Sequence, residues 1–154
     1  MSKKDLKAAL KGLDRDQLTE LILEVYSKIK EAKKFLDFYA DPDEEKLAEE
    51  VKAEIFSNFF SRTFRRKKIK IAPAKRIVSN FAKLGVSPHL VLDVMIYMLE
   101  MADDAYHTGC GFTETFFDAM QTNCEAAQAY AEKHDLYDAE IKERLEDLSK
   151  EGYF

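Results

Sequence analysis

A chain of 154 residues, 46 % hydrophobic and 34 % charged, has apolar side chains enough for one substantial core, which excludes disorder along its whole length and makes a single domain over residues 1–154 the simplest reading. Its net charge of −5 conceals a split: no carboxylate lies between Glu54 and Asp93, where Arg62, Arg65, Arg66, Lys67, Lys68, Lys70, Lys75, Arg76 and Lys83 supply nine cations, so the flanking residues carry a net −14. The charged N-terminus is unlike a signal peptide, and the most apolar run, Leu90 to Ala102, is interrupted by Asp93 and Glu100 and too short for a bilayer, so a cytoplasmic protein without membrane attachment is expected.

In chain order the signals are helical almost throughout. Ser2 can cap a short helix that runs through Leu10 and ends at Gly12. Asp14 followed by Gln17 reads as a capping box opening one long helix, whose stripe of Leu18, Leu21, Ile22, Val25, Ile29, Ala32, Leu36 and Tyr39 keeps helical spacing to the end. Asp41-Pro42-Asp43-Glu44 supplies a cap, a first-turn proline and an acidic third position for a helix with Leu47, Val51, Ile55, Asn58 and Phe59 on one face. A basic connecting segment over 61–72 follows. Pro73 then starts a short helix with Ile77, Phe81 and Leu84 inward, which Gly85 stops.

Ser87 and Pro88 open a helix that is apolar nearly all round, except for a stripe of Asp93, Tyr97, Glu100, Asp104 and His107. So wide an apolar arc predicts nearly complete burial at the centre of the fold. Thr113 is the expected cap of the next helix, with Phe116, Phe117, Met120, Cys124, Ala127 and Ala131 inward, and a last helix from about Asp138 buries Ile141, Leu145 and Leu148. With five glycines, three prolines and no alternating pattern outside Lys68 to Ile71, little is available for a sheet. The expected fold is all-α, a compact bundle or array of about seven helices around one nearly fully buried helix.

Several strings match a known pattern: Lys7-Ala8-Ala9-Leu10-Lys11-Gly12-Leu13, then Gln17-Leu18, Tyr26, Ala32-Lys33-Lys34-Phe35-Leu36-Asp37-Phe38, Pro42-Asp43-Glu44-Glu45-Lys46-Leu47 and Phe81-Ala82-Lys83-Leu84-Gly85-Val86. Together they resemble a family of small bacterial proteins classified only as a domain of unknown function. That resemblance implies a bacterial, cytoplasmic, helical protein and carries no catalytic signature.

Two constellations offer chemistry. Glu100, Asp103, Asp104 and His107 lie within two turns, with Glu114 and Asp118 on the neighbouring helix, the raw material of a helical carboxylate metal site. Such sites aim their ligands inward, whereas these carboxylates fall opposite the apolar arcs, so a solvated or salt-bridged face is expected and no metal or other cofactor is assigned. His107 lies three residues from Cys110, but no oxyanion donors and no orienting third residue accompany the pair, and a histidine at a helix C-terminus has a simpler role against the macrodipole. Cys110, in a loop between glycines, and Cys124, some ~15 Å along the next helix, stand beyond disulfide reach and suit a reducing compartment.

The basic segment then separates the functional readings. Folded against the acidic helices or met by an acidic partner, Arg62, Arg65, Arg66, Lys67, Lys68, Lys70, Lys75 and Arg76 mark a protein-contact surface. Extended into solvent beside Phe64, they could neutralise phosphates. A helix-turn-helix is excluded because Ser87 to Ala102 has almost no base-reading side chains. The expectation is a non-enzymatic protein-interaction module whose partner is another protein or a second copy of the chain, with accessory nucleic-acid binding through 62–76 as the alternative.

Overall fold

A computed structural model describes every residue except 61–67, 69, 109–110, 112 and 153–154. The described residues form eight α-helices and no strand: α1 (Lys3–Leu10), α2 (Arg15–Lys28), α3 (Lys30–Ala40), α4 (Glu44–Phe60), α5 (Ala72–Ala82), α6 (Pro88–His107), α7 (Phe116–Lys133) and α8 (Ala139–Lys150). They fall into two compact units, Met1–Pro42 and Asp43–Phe154. Among the described residues, no helix is long and apolar enough to cross a membrane.

In the N-terminal unit, local bonds decide where helices begin. Ser2 Oγ accepts from the Asp5 amide at 3.2 Å while the Asp5 carboxylate accepts from the Ser2 amide at 2.9 Å, a reciprocal capping box. Asp14 and Gln17 repeat the arrangement at 2.8 and 3.0 Å. The expected single helix from Asp14 to Tyr39 is in fact two, which raises the count from about seven to eight. Ile29 is extended at φ −123°, ψ 107°; its N–H ends α2 on the Val25 carbonyl and its own carbonyl opens α3 by accepting from Lys33. A β-branched side chain tolerates that conformation well. The break lets α3 pack against α2, and the Tyr26 hydroxyl donates to Asp37 at 2.8 Å. In one straight helix these residues would stand ~16 Å apart along the axis.

The C-terminal unit holds the buried core. α6 packs against α4, α5, α7 and α8. Ala48, Val51, Ile55 and Phe59 of α4 face Ala74, Val78 and Phe81 of α5 and the buried side of α6. From α6 itself come Val91, Leu92, Val94, Ile96, Met98, Leu99, Ala102 and Ala105. Eight of its 20 residues are buried, short of the nearly complete burial expected, because the Asp93–Tyr97–Glu100 stripe stays partly open beside cations and Asp104, Tyr106 and His107 reach solvent.

Two start signals sit elsewhere than anticipated. Asp43, not Asp41, caps α4, accepting from the Lys46 amide at 3.0 Å, so Pro42 precedes the helix. Thr115 takes the cap position of α7 in place of Thr113 and makes no side-chain cap bond. Ser87 precedes α6 as expected, but its hydroxyl donates across to Glu44. Asp138 caps α8 as anticipated, 2.9 Å from the Ile141 amide. The chain turns back with left-handed residues at Gly85 (φ 79°) after α5 and Asp135 (φ 55°) after α7, where the Leu136 amide returns to the Ala131 carbonyl.

Candidate interaction surface

None of the described residues of α1, α2 or α3 is buried. The N-terminal unit nevertheless carries large apolar side chains: Leu6 is 47 % exposed, Ile22 50 %, Leu23 53 %, Phe35 49 % and Tyr39 78 %. The helical stripe read from the sequence is real as periodicity, but it divides: Leu18, Val25, Ala32 and Leu36 are half-buried, while Leu21, Ile22, Ile29 and Tyr39 stay exposed. Two shallow grooves shape this surface. One, of about 780 Å³, has Leu6, Leu10, Leu13 and Leu18 as its floor and Lys3, Lys4, Lys7 and Lys11 around it. The other, about 790 Å³, runs along α2 over Leu13, Leu21 and Leu23 and is edged by Asp16, Glu20 and Glu24.

The C-terminal unit closes its polar stripe with cations. Arg144 of α8 donates through Nε and NH2 to both oxygens of Glu100, at 2.7 and 2.9 Å, and through NH1 to Asp93 at 2.7 Å. Lys52 of α4 reaches the other Asp93 oxygen at 2.6 Å, approaches Glu49 at 3.3 Å and lies 5.7 Å from the centre of the Tyr97 ring. Burial alone would raise the Asp93 pKa, but the hydrogen bonds and charges of Lys52 and Arg144 overcome it and hold the carboxyl below its ordinary value. Bonding to Glu100, and then to Asp93, keeps Arg144 firmly protonated against its own desolvation. α4, α6 and α8 are thus tied by a bidentate, partly buried network, a salt-bridged face of the kind expected for these carboxylates.

A profile of DUF6155, a family of unknown function, matches residues 1–153. The chain belongs to this family. No curated protein and no solved structure matches it.

In this DUF6155 protein the proposed metal-type residues separate. Glu100 is engaged with Arg144, Asp104 and Asp118 are exposed on α6 and α7, and Glu114, expected on the same helix as Asp118, is exposed in the turn before α7. Asp103 and His107 instead meet Glu151, a residue the sequence did not suggest: His107 Nε2 lies 3.4 Å from Asp103 and 3.2 Å from Glu151. The ligand atoms of this trio fall within 4.8 Å of one another, a spacing compatible with a divalent cation, and equally with a hydrogen bond between the imidazole and Glu151 beside the Asp103 carboxylate. The spacing of Asp103 and His107 on α6 was the readable half of the signal.

Cys124 is free and fully buried, its thiol pushed up to about 12 by burial first and by the charges of Asp103 and Glu125 second. A thiol so placed is inert. Cys110, the other half of the Cys–His idea, lies outside the described residues, as do Arg62, Arg65, Arg66 and Lys67. Of the anticipated basic contacts, Lys68, Lys70, Lys75 and Arg76 are described; all are exposed, and none makes an ion pair among the described residues. The cations that neutralise Asp93 and Glu100 are Lys52 and Arg144, which come from outside the basic segment.

Proposed function

We propose that this chain is a non-enzymatic protein-interaction module of the bacterial cytoplasm, with the N-terminal unit as its docking surface. The observation that carries this reading is that no described residue of α1 to α3 is fully buried, while Leu6, Ile22, Leu23 and Phe35 are about half exposed. Side chains of that size each gain about 1.5–3 kcal/mol on leaving water, and contiguous exposed apolar patches mark binding sites. The ion pairs around Arg144 support the assignment of a structural role to the conspicuous carboxylates of α6. A photo-crosslinking amino acid placed singly at Ile22, Leu23 and Phe35 of the whole chain, in its own host, is expected to give protein adducts, whereas the same probe at exposed Glu140 of α8 gives none. Absence of adducts at all three positions refutes the reading.

A second reading has its own support. With Asp93 and Glu100 already neutralised, exposed Lys68, Lys70, Lys75 and Arg76 are left without intramolecular ion pairs among the described residues. They could contact nucleic-acid phosphates, and binding would then weaken with salt by a log–log slope of about −0.9 per phosphate neutralised on duplex DNA. Changing the four to Gln should flatten that slope; undetectable binding at low ionic strength eliminates the reading.

A further inference from the structure

The two grooves of the N-terminal unit are opposite in charge and equal in spacing. On α1 and its cap, Lys3, Lys7 and Lys11 recur every four residues beside Leu6 and Leu10; on α2, Asp16, Glu20 and Glu24 recur every four residues beside Leu21 and Leu23. Four residues of helix rise ~6 Å, so both rows place their charges at the same interval over ~12 Å. Intramolecular pairs do not consume them. Among the described residues Lys3, Lys4, Lys7, Lys11, Asp16 and Glu20 make no ion pair, and Glu24 makes only a fully surface one with Lys28. A surface carrying a cation-edged and an anion-edged apolar groove side by side is complementary to itself, the requirement of a two-fold interface in which residue i meets j and j meets i.

Resting on the interaction reading above, we propose that the partner of the N-terminal unit is a second copy of this chain, the lysine row of α1 on each protomer docking along the carboxylate row of α2 on the other, with Leu6, Leu10, Leu21 and Leu23 closing between them. The leucines contribute the affinity, since charges at a solvent-exposed rim chiefly set register and partner choice. An acidic protein could satisfy the lysines and a basic one the carboxylates. The matched pair of rows in one short segment favours a copy of the same segment over either.

Charge exchange tests this with the whole chain. The wild type is expected to sediment as a dimer at micromolar concentration, with a dissociation constant that rises with salt. Lys7→Glu with Lys11→Glu reverses the net charge of the lysine row, so that both rows are net negative, and Asp16→Lys with Glu20→Lys makes both net positive. Each double variant alone should dissociate at least about tenfold more readily, since like charges then face each other. Mixed in equal amounts, the two variants should form a heterodimer tighter than either variant's own dimer, because each then supplies the net charge the other lacks. These substitutions lie at exposed positions; Lys7→Glu and Asp16→Lys each forgo a small helix-dipole stabilisation, a loss that mixing the variants does not restore, unlike the lost contact.

Double variants that still dimerise, or a mixture that fails to, overturn the proposed contact. A monomeric wild type that cosediments with anionic phospholipid vesicles assigns the lysine row to lipid and overturns it too. A monomeric wild type that gives photo-adducts with a different protein removes the second copy while the interaction reading stands. If the wild type is monomeric and Ile22→Gln with Leu23→Gln lowers its melting temperature as a core substitution would, the apolar face is covered within the chain and both readings fall.

Discussion

The two units of this protein are stabilised by different physics. The C-terminal unit draws on burial: Ile55, Phe59, Phe81, Leu92, Ile96, Leu99 and Met120 are shut off from water almost entirely. The N-terminal unit buries none of its described residues and relies on capping boxes, the α2–α3 pairing and the Tyr26–Asp37 bond. Both read from sequence as amphipathic helices of ordinary quality. Amphipathic periodicity therefore declares that a face wants covering, and says nothing about whether the cover belongs to the same molecule.

Substitutions can widen or erase that contrast. The largest effect should come from Phe59→Ala, which empties a fully buried position on α4 and is expected to cost about 3–5 kcal/mol in chemical denaturation; a loss under about 1 kcal/mol would show that the core is looser than described. Arg144→Ala should cost about 2–3 kcal/mol, because it strands Glu100 and weakens the hold on Asp93 in a partly buried setting.

The same network makes acid stability legible. The folded-state pKa of Asp93 is depressed, so the stability it lends is full above the unfolded value of ~3.9 and is lost as pH falls through the lower folded one. Asp93→Asn should accordingly be less stable than wild type at neutral pH, and the gap should close as the pH falls through the depressed folded value. A gap that persists unchanged into strong acid would show that the carboxylate charge is not what Asp93 contributes.

Caps come next, at about 1 kcal/mol each, and they separate the units by where the loss appears. Asp14→Ala should speed amide exchange along α2 while barely moving the main unfolding transition. Asp138→Ala should shift that transition itself. Asp135→Gly runs the other way: it relieves a left-handed non-glycine residue and should stabilise by about 0.5–1 kcal/mol. The smallest effect is expected at Ile22→Gln, within about 0.5 kcal/mol in the dissociated chain.

What sequence reasoning reached was local. The cap at Ser2, the box at Asp14, the cap at Asp138, the stop at Gly85 and most of the inward faces of α4 and α7 all depend on residues three or four apart, the range over which side chain and backbone speak directly. Phe117 was misplaced: it continues the apolar run after Phe116 yet lies 49 % exposed. Asn123 was overlooked as a buried residue because its amide is satisfied one turn back, by the Ala119 carbonyl at 2.7 Å, a bond that leaves no mark on composition.

The candidate surface was half legible. Its apolar stripe stood out, but which half of it is covered, Leu18, Val25, Ala32 and Leu36, and which half stays exposed depends on the fold-back of α3 on α2, which no spacing encodes. Arg144 and Lys52 could not be named as partners of Asp93 because they come from helices about forty to fifty residues away. Glu151 joins His107 across a similar interval. Nor did anything announce the break at Ile29, where glycine and proline are both absent.

That break also bears on how the chain can vary in length. A single extended residue separates α2 from α3, and the Tyr26–Asp37 bond spans it. An inserted or deleted residue between them would swing one helix face past the other by about 100°, carrying Asp37 out of reach of Tyr26. Changes of length should therefore be rejected between positions 26 and 37 in related sequences. The joint acts as a fixed-length gauge, readable in gap placement when sequences of the family are laid side by side.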